Sequence, residues 1–257
     1  MSHYLMRKIK SLGLIQTVLE SSGRPYNFHT PLLEDELAYS DLFYYPDPSQ
    51  YRVRLIMPMM VFELAGCDAL RLHFFMWDSM GSLVQSSTQV VVKKGPIIFD
   101  VTSRVEDLGW SLSGTFACFV TRVESASNSP LQTKGYVVYQ SAKNPHEESV
   151  VHADQLSLAL TLPGSVRPKA LKLWKKTVFQ TGCVVTDTAS ITFILRNHSD
   201  QRLAFEVGSK TVVINPLGSA ALSLERGILA DIRSRLALVR PLIMHTDADG
   251  QTDWLHG

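Results

Sequence analysis

The chain has 257 residues, 45% hydrophobic and 19% charged, a composition that excludes a disordered chain and fits one large domain or two ordinary ones. Its 25 Lys and Arg residues against 24 Asp and Glu residues give a formal net charge of +1, so we expect no nucleic-acid partner. No apolar run reaches the roughly 18–20 residues that a membrane helix needs, so we also expect no membrane span.

The first residues do not resemble a secretory signal, because Arg7, Lys8 and Lys10 interrupt the apolar positions. The three cysteines are an odd number and far fewer than a disulfide scaffold carries. We therefore expect a cytoplasmic protein whose thiols are reduced.

Residues 1–50 form an N-terminal extension that combines aromatic with acidic side chains, and residues 9–19 within it have helical periodicity. The aromatic and acidic residues are Tyr26, Phe28, Tyr39, Phe43, Tyr44, Tyr45, Glu34, Asp35, Glu36 and Asp41. Such a segment either packs on its own chain or completes an interface with another chain. We favour self-packing, because large exposed aromatic patches are rare on monomers.

From residue 51 onward, short runs rich in Val, Ile, Phe, Tyr and Thr alternate with turn signals such as Gly95-Pro96 and Asn144-Pro145. The predicted strands are 52–60, 69–77, 83–92, 97–105, 115–123, 136–140 and 149–152. Residues 228–238 fit a helix or a strand equally well. About seven strands at this spacing are typical of an antiparallel β-sandwich.

An internal repeat relates the two halves of the chain. The matched segments are 61–67 with 178–183, 70–75 with 189–194, 91–96 with 211–216, 116–121 with 235–240, 136–139 with 241–244 and 150–152 with 254–256. Because their order is kept throughout, we predict a duplication. Its boundaries are a first β-sandwich domain at 51–160, a linker at 161–168 and a second β-sandwich domain at 169–257.

Residues 196–200 and 212–220 resemble tandem immunoglobulin-like or fibronectin-type-III-like modules of bacterial proteins, in which a strand ends in Asn with a polar turn and a later strand meets a Pro-x-Gly-Ser corner. The resemblance implies an all-β fold of two tandem antiparallel β-sandwich domains. It also implies a protein that binds or spaces other molecules. The disulfide of antibody domains is not reproduced, since Ala237 stands where the repeat matches Cys118.

Two polar segments suggest metal sites at first sight. His146 and His152 lie six residues apart, a spacing that is wrong for a zinc helix but places both rings on one face of a strand. His29 or Asp154 would have to supply a third ligand, and we favour a polar hairpin loop instead. Residues 245–253 resemble part of a calcium loop, but His245 and His256 stand at its first and twelfth positions instead of acidic ligands, so a hairpin turn is again favoured.

No nucleophile elbow, phosphate-binding glycine loop or paired catalytic carboxylates stand out, so we predict no catalytic residue and no cofactor. Cys67 and Cys183 match in the repeat, which favours packing at a strand end. His152 and His256 also match, and each either fixes the final strand or faces a groove between the domains. Ligand-binding candidates in that groove, where a sugar could stack on aromatic rings, are His152, His256, Trp77, Trp110 and Trp254.

Two hypotheses for function remain. The first is a non-catalytic binding or assembly module that acts through strand edges, the interdomain groove or the N-terminal extension, with a protein partner or self-association. The alternative is an enzyme or a small-ligand protein, with a carbohydrate as the candidate ligand. It would use a cleft around His146, His152 and Asp154.

Overall fold

The computed structural model describes residues 27–28, 38–110, 112–123, 131–132, 135–152, 158–160, 177–180, 188–199, 201–224, 231–236 and 240–256. These residues form strands and two short helices, so the all-β character of the chain is as predicted. Within this part of the chain, no helix is long and apolar enough to cross a membrane.

Four antiparallel sheets carry most of the described chain. Sheet A has the order β3 (Phe43–Tyr45), β8 (Gly114–Arg122), β5 (Ala69–Asp78), β6 (Leu83–Val92). Sheet B has the order β11 (Glu148–His152), β10 (Tyr136–Ser141), β4 (Tyr51–Met57), β7 (Ile97–Asp100). Sheet C has the order β17 (Ser219–Leu224), β14 (Thr188–Arg196), β19 (Leu242–Asp247), β20 (Thr252–His256). Sheet D has the order β13 (Thr177–Gln180), β18 (Asp231–Ser234), β15 (Leu203–Val207), β16 (Lys210–Ile214).

A fifth, mixed sheet joins parts of the chain that are distant in sequence. Sheet E has the order β1 (Asn27–Phe28), β12 (Leu158–Leu160), β2 (Ala38–Ser40), β9 (Leu131–Gln132). The pairs β1–β12 and β2–β9 are parallel, while β12 and β2 are antiparallel. The N-terminal region therefore contributes strands to the fold.

Two helices shorten strands that the sequence predicted to be longer. Helix α1 (Met60–Ala65) follows β4 and ends at Gly66, whose φ of 68° is the left-handed value that glycine adopts most easily. Helix α2 (Val101–Asp107) follows β7. It begins at Asp100, whose carboxylate accepts a hydrogen bond from the Ser103 N–H at 3.0 Å.

The largest hydrophobic core lies between sheets A and B. The Phe74 ring lies 4.4 Å from Phe99 and 5.8 Å from Phe116, measured between ring centroids. The buried side chains of Ile194, Leu242 and Trp254, all from sheet C, belong to the same core. The hydrophobic interior of the first half of the chain is therefore completed by strands from the second half.

Residues 40–46 of the predicted N-terminal extension are buried against their own chain. Phe43, Tyr44 and Tyr45 are buried in the core between sheets A and B. The Tyr45 hydroxyl donates to the Trp77 carbonyl at 3.1 Å. The predicted helix at 9–19 lies outside the described residues.

A corner at residues 215–218 connects β16 to β17 and contacts the β5–β6 turn of sheet A. The Ser219 N–H donates to the Ser79 carbonyl at 3.0 Å, and the Asn215 side-chain amide donates to the Met80 carbonyl at 3.0 Å. Leu217 is buried with a φ of 61°, which costs a leucine about 1–2 kcal/mol. The Thr115 hydroxyl donates to the Leu217 carbonyl, so the corner is held from two sides.

The prediction of two tandem immunoglobulin-like β-sandwiches is wrong. Sheets A and B share one core, sheets C and D share a second, and sheets B and C meet where β11 lies beside β20. The corner at 215–218 then returns to sheet A. The four antiparallel sheets follow one another in a ring, an arrangement like a four-bladed β-propeller.

The predicted tandem repeat also fails at the level of strand pairing. The repeat matches residues 70–75 with 189–194 and 136–139 with 241–244. In the second half, β14 and β19 are hydrogen-bonded neighbours in sheet C. Their supposed counterparts, β5 and β10, lie in different sheets. The domain boundaries at 50/51, 160/161 and 168/169 stay a prediction, and the linker at 161–168 lies outside the described residues.

Candidate functional site

The edge of sheet A formed by β6 is the candidate functional site. This strand has ten residues, none of them charged, and none is buried. Leu83, Val90 and Val92 have exposed fractions of 57%, 56% and 53%. Natural proteins usually protect an edge strand with charged side chains, prolines or a short length. Beyond a bulge near its start, β6 has none of these along its length, and the charges come only after it, at Lys93 and Lys94.

The backbone of β6 presents a regular row of outward-facing groups. The Lys93 N–H donates to the Asp68 carbonyl at 2.8 Å, which fixes the phase of the antiparallel ladder between β5 and β6. Residues 85, 87, 89 and 91 therefore direct their N–H and C=O groups toward β5. The residues whose backbone groups face away from β5 are Ser86, Thr88, Val90 and Val92.

A bulge limits the regular part of this edge. Met76 pairs with Gln85 and Trp77 pairs with Leu83, so Val84 is an extra residue in β6. The alternation of inward and outward backbone groups is consequently unbroken only from residue 85 onward. The geometry leaves four outward residues in register for pairing with another strand.

His73 fixes the edge strand to the two strands behind it. Its Nδ1 lies 3.2 Å from the Thr88 hydroxyl of β6, and its Nε2 lies 2.9 Å from the Thr121 hydroxyl of β8. His73 is itself on β5, so one ring connects three adjacent strands. Burial lowers the pKa of His73 to about 4, with a further contribution from the positive charge of Arg71. The ring is therefore neutral at pH 7.

The structure does not bring the predicted metal ligands together. His146 is exposed in the turn between β10 and β11, whereas His152 is exposed at the far end of β11, where its ring packs edge-on against Tyr136 at 4.3 Å. They lie six residues apart along a largely extended segment, a separation of about 20 Å. Asp154 lies outside the described residues. In the described part of the chain, no group of three or more His, Cys, Asp or Glu residues is arranged to hold a metal ion.

The predicted tryptophan platform is part of the hydrophobic interior. Trp254 is buried and stacks on Tyr139 at 4.4 Å, and Trp77 is buried and stacks on Phe75 at 6.0 Å. Trp110 is half-buried against the core between sheets A and B. The backbone of His256 pairs with Leu242 at the end of sheet C. Because Trp77 and Trp254 are buried, they offer no surface for stacking a sugar.

The other polar motifs have structural roles. The Asp247 carboxylate accepts hydrogen bonds from the N–H groups of Asp249 and Gln251, which makes the suspected calcium loop a closed hairpin turn. Cys67 donates to the Ala69 carbonyl at 3.2 Å. Cys118 is buried, and burial raises its pKa to about 12, so its thiolate is not available at neutral pH.

Arg196 lies between two small cavities that the sequence did not predict. One is lined by Leu42, His198 and Arg240, and the other by Asp41, Tyr139 and His152. Each has room for about one water molecule, which is too little for a sugar ring or an organic cofactor. The half-buried Arg196 and the buried His198 therefore act as structural groups.

The buried histidines His73 and His198 lead us to expect that the folded protein loses stability in acid. Burial lowers the pKa of His198 to about 3, and Arg196 adds to the shift. Below pH 6.5 the unfolded chain binds protons at both residues while the folded chain does not, so stability falls as the pH falls. Between pH 7.5 and pH 5 we expect each histidine to cost about 2 kcal/mol of unfolding free energy, as measured by urea denaturation.

A His198→Gln variant tests this expectation. It should show a pH-dependent loss about half that of the unaltered protein, because His73 is then the one that remains of the two buried histidines with lowered pKa values. The exposed His146, changed to Gln, is the matched control for the substitution itself. Equal stability at pH 7.5 and pH 5 in the unaltered protein would contradict the burial argument.

Comparison with known proteins adds no function to this geometry, since no family model matches the chain and no curated protein matches it.

One feature of the sequence, which the strand prediction did not take into account, indicates that β6 is unusual. Residues 83–92 were predicted as a strand, and ten uncharged residues followed by two lysines are typical of an aggregation-prone segment with flanking charges. The position of β6 at the edge of its sheet depends on long-range pairing, which the local pattern does not specify.

Proposed function

We propose that this protein is a non-catalytic binding module that takes up an extended polypeptide strand at the β6 edge. The observation that supports the proposal most is the row of four outward backbone groups on an uncharged strand. Strand addition of this kind draws its affinity from backbone hydrogen bonds and its specificity from alternate side chains.

The chemistry of the edge defines the incoming strand. Ser86, Thr88, Val90 and Val92 are exposed on one face of β6, so the partner strand presents β-branched or hydroxyl side chains opposite them. Lys93 and Lys94 are exposed just beyond the strand and disfavour a positively charged residue beside them. An extended, uncharged segment fits both conditions.

Four other edge strands in the described part of the chain are less suited to this role. β11 and β20 lie beside each other, and the Trp254 N–H donates to the Ser149 hydroxyl at 3.2 Å across that junction. β3 has three residues, all of them buried, and β7 has four. β6 is the longest edge strand of the described residues.

A labelled peptide with the sequence of residues 83–94 serves as the probe. We expect saturable binding by the protein in fluorescence anisotropy, and binding at least tenfold weaker to the Val90→Lys variant, because a charge then lies in the strand interface. The matched control is Val213→Lys, which places the same charge at an exposed valine of β16 in sheet D. Equal binding to the Val90→Lys variant and the unaltered protein would overturn the proposal.

A further inference from the structure

The geometry of β6 indicates which strand pairs with it. We propose that the strand is β6 of a second copy of this chain, paired antiparallel about a two-fold axis at Gln89. This inference rests on the proposed function, because it names the occupant of the same edge.

The backbone pattern supports self-pairing. With the axis at Gln89, Ser86 of one copy faces Val92 of the other, and Thr88 faces Val90. Each of these four residues has one outward N–H and one outward C=O. Every one of these groups therefore has a hydrogen-bond partner in the other copy. The resulting hydrogen bonds are comparable in number to the roughly ten of an ordinary protein interface.

The bulge selects the position of the axis. Because the extra residue Val84 breaks the alternation, the regular outward row runs from Ser86 to Val92, and its midpoint is Gln89. With the axis at any other position, at least one of these residues in each copy would have no outward-facing residue of the regular row opposite it to complete its hydrogen bonds. A two-fold axis also closes the assembly at two copies, since each edge is used once.

Charge selects the antiparallel direction. Lys93 and Lys94 are both exposed. A parallel arrangement would place four ammonium groups side by side, which is unfavourable. In the antiparallel arrangement the two lysine pairs lie at opposite ends, about 27 Å apart. The ten uncharged residues between them bring no like charges together.

Native mass spectrometry of the full chain tests the proposal first. We expect a dimer, and dimerisation at least tenfold weaker for Val90→Lys than for Val213→Lys. A monomer at all concentrations, or a dimer that Val90→Lys leaves unaltered, would overturn the inference.

Disulfide trapping then tests the axis. Opposed Gln89 residues form a non-hydrogen-bonded pair with Cα atoms about 4.5 Å apart, within the range that a disulfide spans. A Gln89→Cys variant should give a covalent dimer under mild oxidation. The control is Val92→Cys, whose two copies lie about 20 Å apart in this arrangement and should stay uncrosslinked. Equal crosslinking of both variants would refute the axis.

These outcomes separate the inference from the proposed function. A monomeric protein that binds the peptide of residues 83–94 retains the strand-binding function and loses the second-copy inference. A protein that neither binds the peptide nor dimerises loses both. A dimer blocked by Val90→Lys, with peptide that competes for the same edge, supports both.

Discussion

Replacing Arg196 with alanine is expected to lower the free energy of unfolding by about 3 kcal/mol, because the change removes a half-buried cation that donates hydrogen bonds to two carbonyls. The guanidinium donates to the Leu42 carbonyl at 2.6 Å and to the Arg240 carbonyl at 3.3 Å. Burial lowers the pKa of Arg196, while Tyr139 and Asp41 act in the opposite direction. The substitution removes the hydrogen-bond donor of both carbonyls and a positive charge that interacts with Asp41.

Urea denaturation followed by circular dichroism measures this loss. Arg233 is the matched control, since its guanidinium is 53% exposed and bonds only Asp231 among the described ion pairs. The Arg233→Ala variant should change stability by no more than about 0.5 kcal/mol. Similar losses for the two arginines would show that Arg196 does not hold residues 41–42 against β14.

Replacing Trp254 with alanine is expected to cost a similar 3–5 kcal/mol, the range for large aromatic residues in cores. The indole stacks on Tyr139 and meets Tyr51 edge-on at 5.2 Å, and it joins sheet C to the core between sheets A and B. Its removal leaves a cavity at the junction of three sheets. Loss of sheet C contacts should also broaden the unfolding transition, seen as a smaller denaturant slope.

A Trp254→Phe variant separates packing from hydrogen bonding. The indole Nε1 is buried and has no hydrogen-bond partner within the described residues, so phenylalanine removes no hydrogen bond and keeps most of the aromatic contact. We expect a loss of less than about 1.5 kcal/mol. A phenylalanine variant as unstable as the alanine variant would mean that the indole N–H contributes most of the effect.

The sequence predicted individual strands better than their arrangement. β5, β6, β8 and β10 lie almost where alternation and turn signals placed them. A period of two is the same in every antiparallel sheet, so it carries no information on which strands are neighbours. The apparent repeat is a consequence of this: hairpins β10–β11 and β19–β20 resemble each other, but β14 pairs with β19 while β5 and β10 lie in different sheets.

The position of the candidate site was also not predictable from local sequence patterns. Histidines and tryptophans were singled out because such side chains often bind ligands, yet Trp77 and Trp254 are buried in the structure. Strand edges were among the predicted interaction surfaces, but the alternation of side chains does not show that β6 lies at the edge of its sheet and β5 at the centre. Burial distinguishes them: β5 is mostly buried, and β6 has no buried residue.

The β5–β6 turn of sheet A and the β10–β11 turn of sheet B differ in whether a tag or label can be inserted without disturbing the fold. The β10–β11 turn satisfies its own polar groups, since the Glu147 N–H donates to the Asn144 carbonyl at 2.9 Å, and its tip is exposed. The β5–β6 turn lies against residues 215–218, and a side chain at Gly81 would collide with the Pro216 carbonyl. An epitope tag or fluorescent label inserted near Lys143 therefore extends into solvent, whereas one inserted at Gly81 separates the turn from the corner that closes the ring.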